Sequence, residues 1–280
     1  MLVVVTGAGG QLGQALVEEL RCSHQVVALD HRALDITWPD AEERLAALQP
    51  ACVVHTAAWT DVDGCARDPQ RAFQANVMGT RAVALACRRA DARMMYISTN
   101  EVFDGIQKEP YREDSIPGPV NAYGASKLAG ERATRELVRR AFIVRTSWVY
   151  GPGGRNFPAK VLELSHSRPE LSMVADEIAT PTYTPDLAAA IVRLLAVDRP
   201  GIYHLTNQGS CSRYDYARAV LDLAGFPAYP LKPIPAADFQ RASRPPLRTA
   251  LDNRNAASLG ISLRPWREAL AAFLSIGRPP

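Results

Sequence analysis

The sequence has no run of about 18 consecutive apolar residues, so it offers no candidate membrane-spanning helix. It has no tract of like charge either. The 32 Lys and Arg against 29 Asp and Glu leave a formal charge of +3, spread along the chain. That distribution argues against a nucleic-acid footprint or a membrane-surface patch. The 5 cysteines (Cys22, Cys52, Cys65, Cys87, Cys211) are odd in number, contain no Cys-x-x-Cys pair, and several fall in apolar stretches that read as core. They read as reduced thiols of a cytoplasmic protein. Met1 runs directly into a β-branched segment, so no secretory leader is expected. The 5 histidines show no ligand spacing, and no metal is expected. No internal repeat is present. Lysine is scarce, being confined to Lys108, Lys127, Lys160 and Lys232.

What is present is an alternation. At 280 residues the chain has room for a dinucleotide-sized domain and a smaller lobe, taking ~150 residues per domain. Short β-branched runs at 3–6, 25–30, 52–56, 94–98 and 142–146 alternate with helical patterns at 39–49, 69–89 and 122–139 and with a helix after the first glycines carrying Leu12, Leu16 and Leu20. Strand–helix alternation of this kind specifies βαβ units and a parallel sheet. After Gly151-Pro152-Gly153-Gly154 the pattern loosens into proline-punctuated stretches with shorter helices near 214–223 and 266–273. A helix at 185–195 and a strand at 202–206 read as a return to the main sheet. The expected fold is therefore α/β, a doubly wound parallel sheet of the Rossmann type with a discontinuous C-terminal lobe. The expected division is a dinucleotide-binding domain over 1–150, to which 178–206 returns, and a substrate lobe over 151–177 and 207–280.

Gly7, Gly10 and Gly13 follow the first strand and open a helix. Glycines there allow a tight turn and close approach of a diphosphate, while the amides of Gln11 and Leu12 sit at a helix N-terminus facing the anion. Alone, such a turn is also an ordinary strand–helix connection. Asp30 strengthens the ligand reading, because an acid ending the second strand can accept hydrogen bonds from adenosine ribose hydroxyls. Arg32 could instead pair with a ribose 2′-phosphate, and Asp35 lies on the same loop. NADH and NADPH both remain open. The small residues Ala57 and Ala58, together with Asn76 and Ser98, are expected to line the cofactor.

Tyr123 and Lys127 are spaced i, i+4, which places them on one helical face. An ammonium beside a phenol would favour the phenolate and bring its pKa toward a useful range. In so lysine-poor a chain the pairing is expected less than once by chance; the plain alternative is a solvent-facing pair. Thr99 ends the fourth strand, where ligand chemistry occurs in open parallel sheets, and its hydroxyl could hold the carbonyl oxygen that Tyr123 protonates. Its plain alternative is a strand-end cap.

With these motifs in view the chain resembles the extended short-chain dehydrogenase/reductases, and among them the dTDP-4-dehydrorhamnose reductase family. The resemblance covers nearly the whole chain. It rests on the run from Gly7 to Gly13, Thr56-Ala57-Ala58-Trp59-Thr60-Asp61-Val62-Asp63, Ile97-Ser98-Thr99 with Val102-Phe103-Asp104-Gly105, the run from Asn121 to Glu131, Arg145-Thr146-Ser147-Trp148-Val149-Tyr150, and Ser243-Arg244-Pro245. It implies reduction of the C4 ketone of a dTDP-4-keto-6-deoxysugar, dTDP-4-dehydrorhamnose first among them, by NADPH or NADH. Thr99, Tyr123 and Lys127 would form the catalytic set, and Thr99, Asn100, Trp148, Asn156 and Arg244 would meet the sugar nucleotide. A monomer or homodimer without nucleic-acid or membrane partners is expected. Two positions depart from the family. Asn100-Glu101 stands where Asp-Tyr is common, and Ala15 stands where some members carry a magnesium-binding glutamate. Rival readings are a sugar-nucleotide epimerase or dehydratase of the same superfamily, and a non-catalytic regulatory subunit resembling the β subunit of methionine adenosyltransferase.

Overall fold

Val3, Val4 and Val5 are all fully buried, which only a strand covered on both faces can achieve. The computed structural model describes residues 1–276 and places them in the first strand of an open sheet. In chain order the elements are β1 (Leu2–Thr6), α1 (Gln11–Arg21), β2 (Gln25–Leu29), α2 (Ala41–Ala47), β3 (Cys52–His55), α3 (Val62–Arg67), α4 (Pro69–Phe73), a π-helical turn (Gln74–Gly79), α5 (Thr80–Arg89), β4 (Arg93–Thr99), α6 (Ala122–Leu137) and β5 (Ala141–Thr146). There follow β6 (Val149–Tyr150), α7 (Phe157–Ser167), β7 (Leu171–Val174), β8 (Ile178–Ala179), β9 (Thr182–Tyr183), α8 (Thr184–Leu195), β10 (Gly201–His204), β11 (Cys211–Ser212), α9 (Arg213–Ala224), β12 (Leu231–Ile234), α10 (Arg254–Ser258) and α11 (Trp266–Ser275).

The main sheet has 6 strands in the order β10-β5-β4-β3-β1-β2, and every pairing in it is parallel. Alternate side chains serve opposite faces. Val3, Val5, Cys52, Val54, Phe142 and Val144 enter the core under α1 and α8. Val4, Val53, Met94, Tyr96 and Ile143 enter the core under α2, α5 and α6. The strand order reverses at β1, whose neighbours are β2 and β3, so the crevice of an open parallel sheet falls at the carboxyl ends of β1 and β3.

The second lobe gathers α7, α9 and α11 with the strand pairs β6–β9, β7–β12 and β8–β11. Its centre is aromatic. Tyr216 lies 5.0 Å from Phe157 and 5.8 Å from both Tyr150 and Trp266, ring centre to ring centre. Within 178–206, β8 and β9 pair with strands of this lobe, while α8 and β10 belong to the main sheet and its core. Ala256, Ile261 and Leu263 also enter that first core from the C-terminal region.

The strands follow the β-branched runs closely, and α1, α6, α8, α9 and α11 follow the helical patterns. The continuous helix expected over 69–89 is instead α4, the π-helical turn and α5. The helix expected from Pro39 begins at Ala41. α3 is an addition. It starts at Asp61, whose carboxylate accepts the Gly64 amide at 2.9 Å. All five cysteines are free, and four of them are buried.

Candidate active site

The glycine turn leaves β1 with Gly7 at φ +73°, a left-handed conformation natural to glycine. A Cβ at Gly7 would stand 2.6 Å from the backbone nitrogen of Ala57, so the close passage of the two strand ends requires its absence. No side chain caps the N-terminus of α1. Its first-turn amides, at Gln11 and Leu12, therefore face the crevice with an electropositive end. A concave, uncapped helix start walled by Gly7 and Ala57 fits the diphosphate of a dinucleotide.

Asp30 directly follows β2 beside this turn, where a Cβ on Gly9 would lie 3.4 Å from its own Cβ. Its Oδ1 accepts the amides of Arg32 and Ala33 at 3.0 and 2.8 Å, and its carboxylate is exposed. Arg32 is exposed as well. Asp35 is turned to local partners, accepting from the Thr37 amide and hydroxyl and pairing with His31 at 3.6 Å. The loop after β6 reaches this corner, since Gln11 Nε2 donates to the carbonyl of Gly151 at 3.1 Å.

Thr99 is the last residue of β4 and Tyr123 lies in the first turn of α6. The start of α6 is fixed by Asn121, whose Oδ1 accepts the Gly124 amide at 2.8 Å. The phenol of Tyr123 neighbours the Thr99 hydroxyl, and both residues are buried. Burial pushes the phenol pKa up and the neighbouring carboxylate of Glu101 adds to that, against the opposing Thr99 hydroxyl. Tyr123 is consequently a protonated phenol at neutral pH. The expectation that the lysine lowers it is corrected here, because desolvation dominates.

Lys127 follows one turn later, only 3% exposed. Its ammonium donates to the carbonyl of Ile97 at 2.7 Å and stands 4.1 Å from the centre of the Tyr96 ring. Burial lowers its pKa to about 7, with Glu131 acting in the opposite direction. Glu131, again i+4 on the same face, binds Arg145 through both oxygens at 2.9 and 2.8 Å and accepts from Ser98 Oγ at 2.6 Å. Ser98 thus turns its hydroxyl to the protein.

Asn76 uses its amide inside the fold too. It exchanges hydrogen bonds with the backbone of Trp59 at 2.8 and 3.0 Å and donates to Ser126 Oγ at 2.9 Å. It lies in the π-helical turn and pins the Ala57-Ala58 segment to α6. Asn100 is buried, accepting from Thr99 Oγ1 at 3.2 Å and donating to Thr249 Oγ1 at 2.6 Å.

The opposite wall comes from the second lobe. Trp148 adopts φ +42° between β5 and β6, and the guanidinium of Arg213 lies 3.5 Å from its ring centre. Arg213 is held by Glu177 at 3.0 Å. Asn156 caps α7, with Oδ1 on the Ala159 amide and Nδ2 on the Gly151 carbonyl at 2.9 Å. Arg244 is exposed, and its backbone carbonyl accepts from Asn121 at 3.4 Å. A latch joins the lobes next to it. Asp63 Oδ1 accepts from Arg241 Nε at 3.1 Å and from the Ser243 amide at 2.8 Å.

Thr99, Tyr123, Lys127, Ser98 and Asn100 therefore converge at the end of β4, while Asn156 and Arg244 occupy the rim. Sequence reasoning assigned no role to Glu131, Asp63, Arg213 or Arg241. Glu131 was discoverable as the third member of an i, i+4, i+8 series from Tyr123. The other three form contacts between segments far apart in sequence, for which no local signal exists.

Comparison with known proteins gives one consistent result. A family model described as RmlD substrate binding domain matches residues 1–278. The dTDP-4-dehydrorhamnose reductase of Mycolicibacterium smegmatis is 38% identical over 273 residues, covering 96% of this chain and 83% of that protein. The spore coat polysaccharide biosynthesis protein SpsK of Bacillus subtilis is 39% identical, covering 97% and 96%. The crystal structure of a dTDP-4-dehydrorhamnose reductase from Bacillus anthracis in complex with NADP superposes with a TM-score of 0.92 at 36% identity, covering 97% of this chain and 98% of that one.

Proposed function

The chain belongs to the RmlD substrate binding domain family, and we infer that it reduces the C4 ketone of a dTDP-4-keto sugar with NADPH or NADH. The observation that carries this reading is the buried Thr99–Tyr123 pair at the end of β4 with Lys127 one helical turn behind it. The nicotinamide supplies the hydride when bound. Thr99 and Tyr123 then hold the ketone oxygen, and Tyr123 passes its proton to that oxygen as charge develops there. Burial keeps Tyr123 protonated, so the proton to be given is in place. Lys127, one helical turn behind Tyr123, would hold the cofactor ribose and offer a charge near the phenol. Gly7, Gly10, Gln11, Leu12 and Gly13 would cradle the diphosphate, with Asp30 and Arg32 placed to meet the adenosine ribose. Trp148, backed by Arg213, forms the wall against the sugar nucleotide.

dTDP-4-dehydrorhamnose is the substrate proposed first, following the reductases among its relatives. Two lobes closing over one active site suit action as a monomer or a homodimer. Free cysteines and the absence, among the described residues, of a helix long and apolar enough to cross a membrane support a cytoplasmic setting.

The test is incubation with a panel of dTDP-4-keto-6-deoxysugars and each reduced cofactor, following nicotinamide absorbance and product. Stoichiometric oxidation of the cofactor with formation of a 4-hydroxy sugar is expected. Turnover without net cofactor consumption would replace this reading with an epimerase or dehydratase, and no turnover with any of them would favour a binding subunit.

A further inference from the structure

Glu101 stands between the end of β4 and the start of α6, and the reduction gives it no task. Its amide donates to Thr99 Oγ1 at 3.2 Å. Its carbonyl packs against Gly124 in the first turn of α6, where no Cβ could fit. Its Oε2 accepts from Asn121 Nδ2 at 2.7 Å. The carboxyl group is thereby set between the hydroxyl of Thr99 and the turn that carries Tyr123.

The partner of that carboxylate is a neutral amide. The cations in electrostatic reach are Arg213 and Arg241, and each is engaged elsewhere, Arg213 by Glu177 at 3.0 Å and Arg241 by Asp63 at 3.1 Å. Burial raises the Glu101 pKa, and Asn121 pulls it part of the way back while Glu177 adds to the rise. A half-buried carboxyl group without a cationic partner, bonded to the residue that caps the helix of the proton donor, has the character of a proton-transfer group.

The substrate offers a matching reaction. Holding a ketone oxygen with Thr99 and Tyr123 acidifies hydrogens on the carbons next to the carbonyl. Resting on the reductase reading, we propose that Glu101 moves a proton to and from a carbon adjacent to the ketone of the bound 4-keto sugar, so that the chain also exchanges that hydrogen with solvent. Glu101 takes the hydrogen as a proton. The C–H electron pair becomes the second bond of the enol, and the carbonyl π pair moves to oxygen, which takes the proton of Tyr123. The reverse steps restore the ketone with a hydrogen drawn from solvent through the carboxyl group. Atoms and electrons balance without an oxidant or reductant.

The experiment incubates the full chain with a dTDP-4-keto-6-deoxysugar and NADP⁺ in D₂O and follows deuterium uptake by mass spectrometry. Reduction by NADPH is measured separately. Exchange by the wild type is expected at about 10²-fold or more above the uncatalysed rate, the ordinary scale of positioned acid–base catalysis. Glu101→Gln keeps an acceptor for Asn121 and removes the base, so the ratio of exchange rate to reduction rate should fall about 10²-fold. Glu101→Asp, which keeps the carboxylate, should retain more exchange than the Gln variant. A purely structural glutamate would lower both rates together and leave the ratio unchanged, which overturns the proposal. Wild-type reduction without exchange above background overturns it as well, while leaving the reductase reading intact. Absence of both activities removes both.

Discussion

The ammonium of Lys127 donates to the carbonyl oxygen of Ile97 at 2.7 Å, while the phenol of Tyr123, one turn before it on α6, neighbours the Thr99 hydroxyl. Two residues that share a helical face thus keep separate partners. Each also responds to burial in its own direction, the phenol upward and the ammonium downward to about 7. Desolvation disfavours whichever form is charged, so one buried environment keeps Tyr123 protonated and leaves Lys127 poised to titrate.

A pH dependence follows. kcat/KM reports the free enzyme, so with Lys127 needed as a cation it should fall as pH rises through about 7. Lys127→Arg, which cannot deprotonate in this range, should retain weak activity and lose that limb. A wild-type profile flat to alkaline pH would remove the requirement for the ammonium. Stability carries the opposite slope. The folded state binds fewer protons than the unfolded state between about 7 and the ordinary lysine value of 10.5, so this group's contribution rises with pH across that window.

Tyr123→Phe should lower kcat by roughly 10² to 10⁴, the range for loss of a positioned general acid. Cofactor affinity should be nearly unchanged, because the ring stays and only the hydroxyl leaves. Steady-state kinetics with fluorescence titration of NADPH checks both. Turnover close to wild type would show that another group donates the proton.

The legible part of this molecule was the part with short-range rules. Val3-Val4-Val5 followed by Gly7, Gly10 and Gly13 can be read as strand, turn and helix because each residue type answers to its neighbours. Tyr123 and Lys127 are visible for the same reason. The π-helical turn was not visible, since nothing local in Gln74–Gly79 breaks an α-helix and Asn76 finds its partner at Trp59. β6 to β9 escaped notice because they are two to four residues long. The Asp63–Arg241 latch joins residues 178 positions apart. Asn156 and Asn100 show the converse, where a residue type suited to a ligand is occupied by the fold itself.

Asp30 and Arg32 should divide the cofactors. Asp30→Ala deletes a ribose-hydroxyl acceptor and a charge that repels a 2′-phosphate, so it should weaken NADH more than NADPH. Arg32→Ala should weaken NADPH more, through loss of a guanidinium matched to phosphate. Equal effects on both cofactors in titration would show that these side chains do not read the 2′ position.

Arg145→Met should be among the most destabilising single changes at the site. The pair with Glu131 is bidentate and only 2% and 3% exposed, and removing one partner of a buried pair leaves a lone charge at a cost of about 3–5 kcal/mol. Urea denaturation measures it. A loss below about 1 kcal/mol, the scale of an exposed pair, would show that water reaches Glu131.

The last prediction concerns Asn100, which bridges the hydroxyls of Thr99 and Thr249, all three residues being buried. Its amide accepts from one hydroxyl and donates to the other, so both bonds depend on its two-sided character. Asn100→Asp turns both ends into acceptors. Thr99 already donates, and the Thr249 hydroxyl can rotate to donate as well, so this variant should stay within about 1 kcal/mol of wild type, the net worth of a single hydrogen bond. Asn100→Leu has similar volume and no polar atoms, leaving two hydroxyls buried without their partner. That should destabilise the protein by about 1–3 kcal/mol per group. It also frees Thr99 to rotate away from the ketone oxygen, so kcat should fall while KM for the sugar nucleotide changes little. Urea denaturation and steady-state kinetics of the two variants side by side decide the matter. If the leucine variant is as stable as the aspartate variant and equally active, Asn100 neither braces Thr99 nor needs its partners.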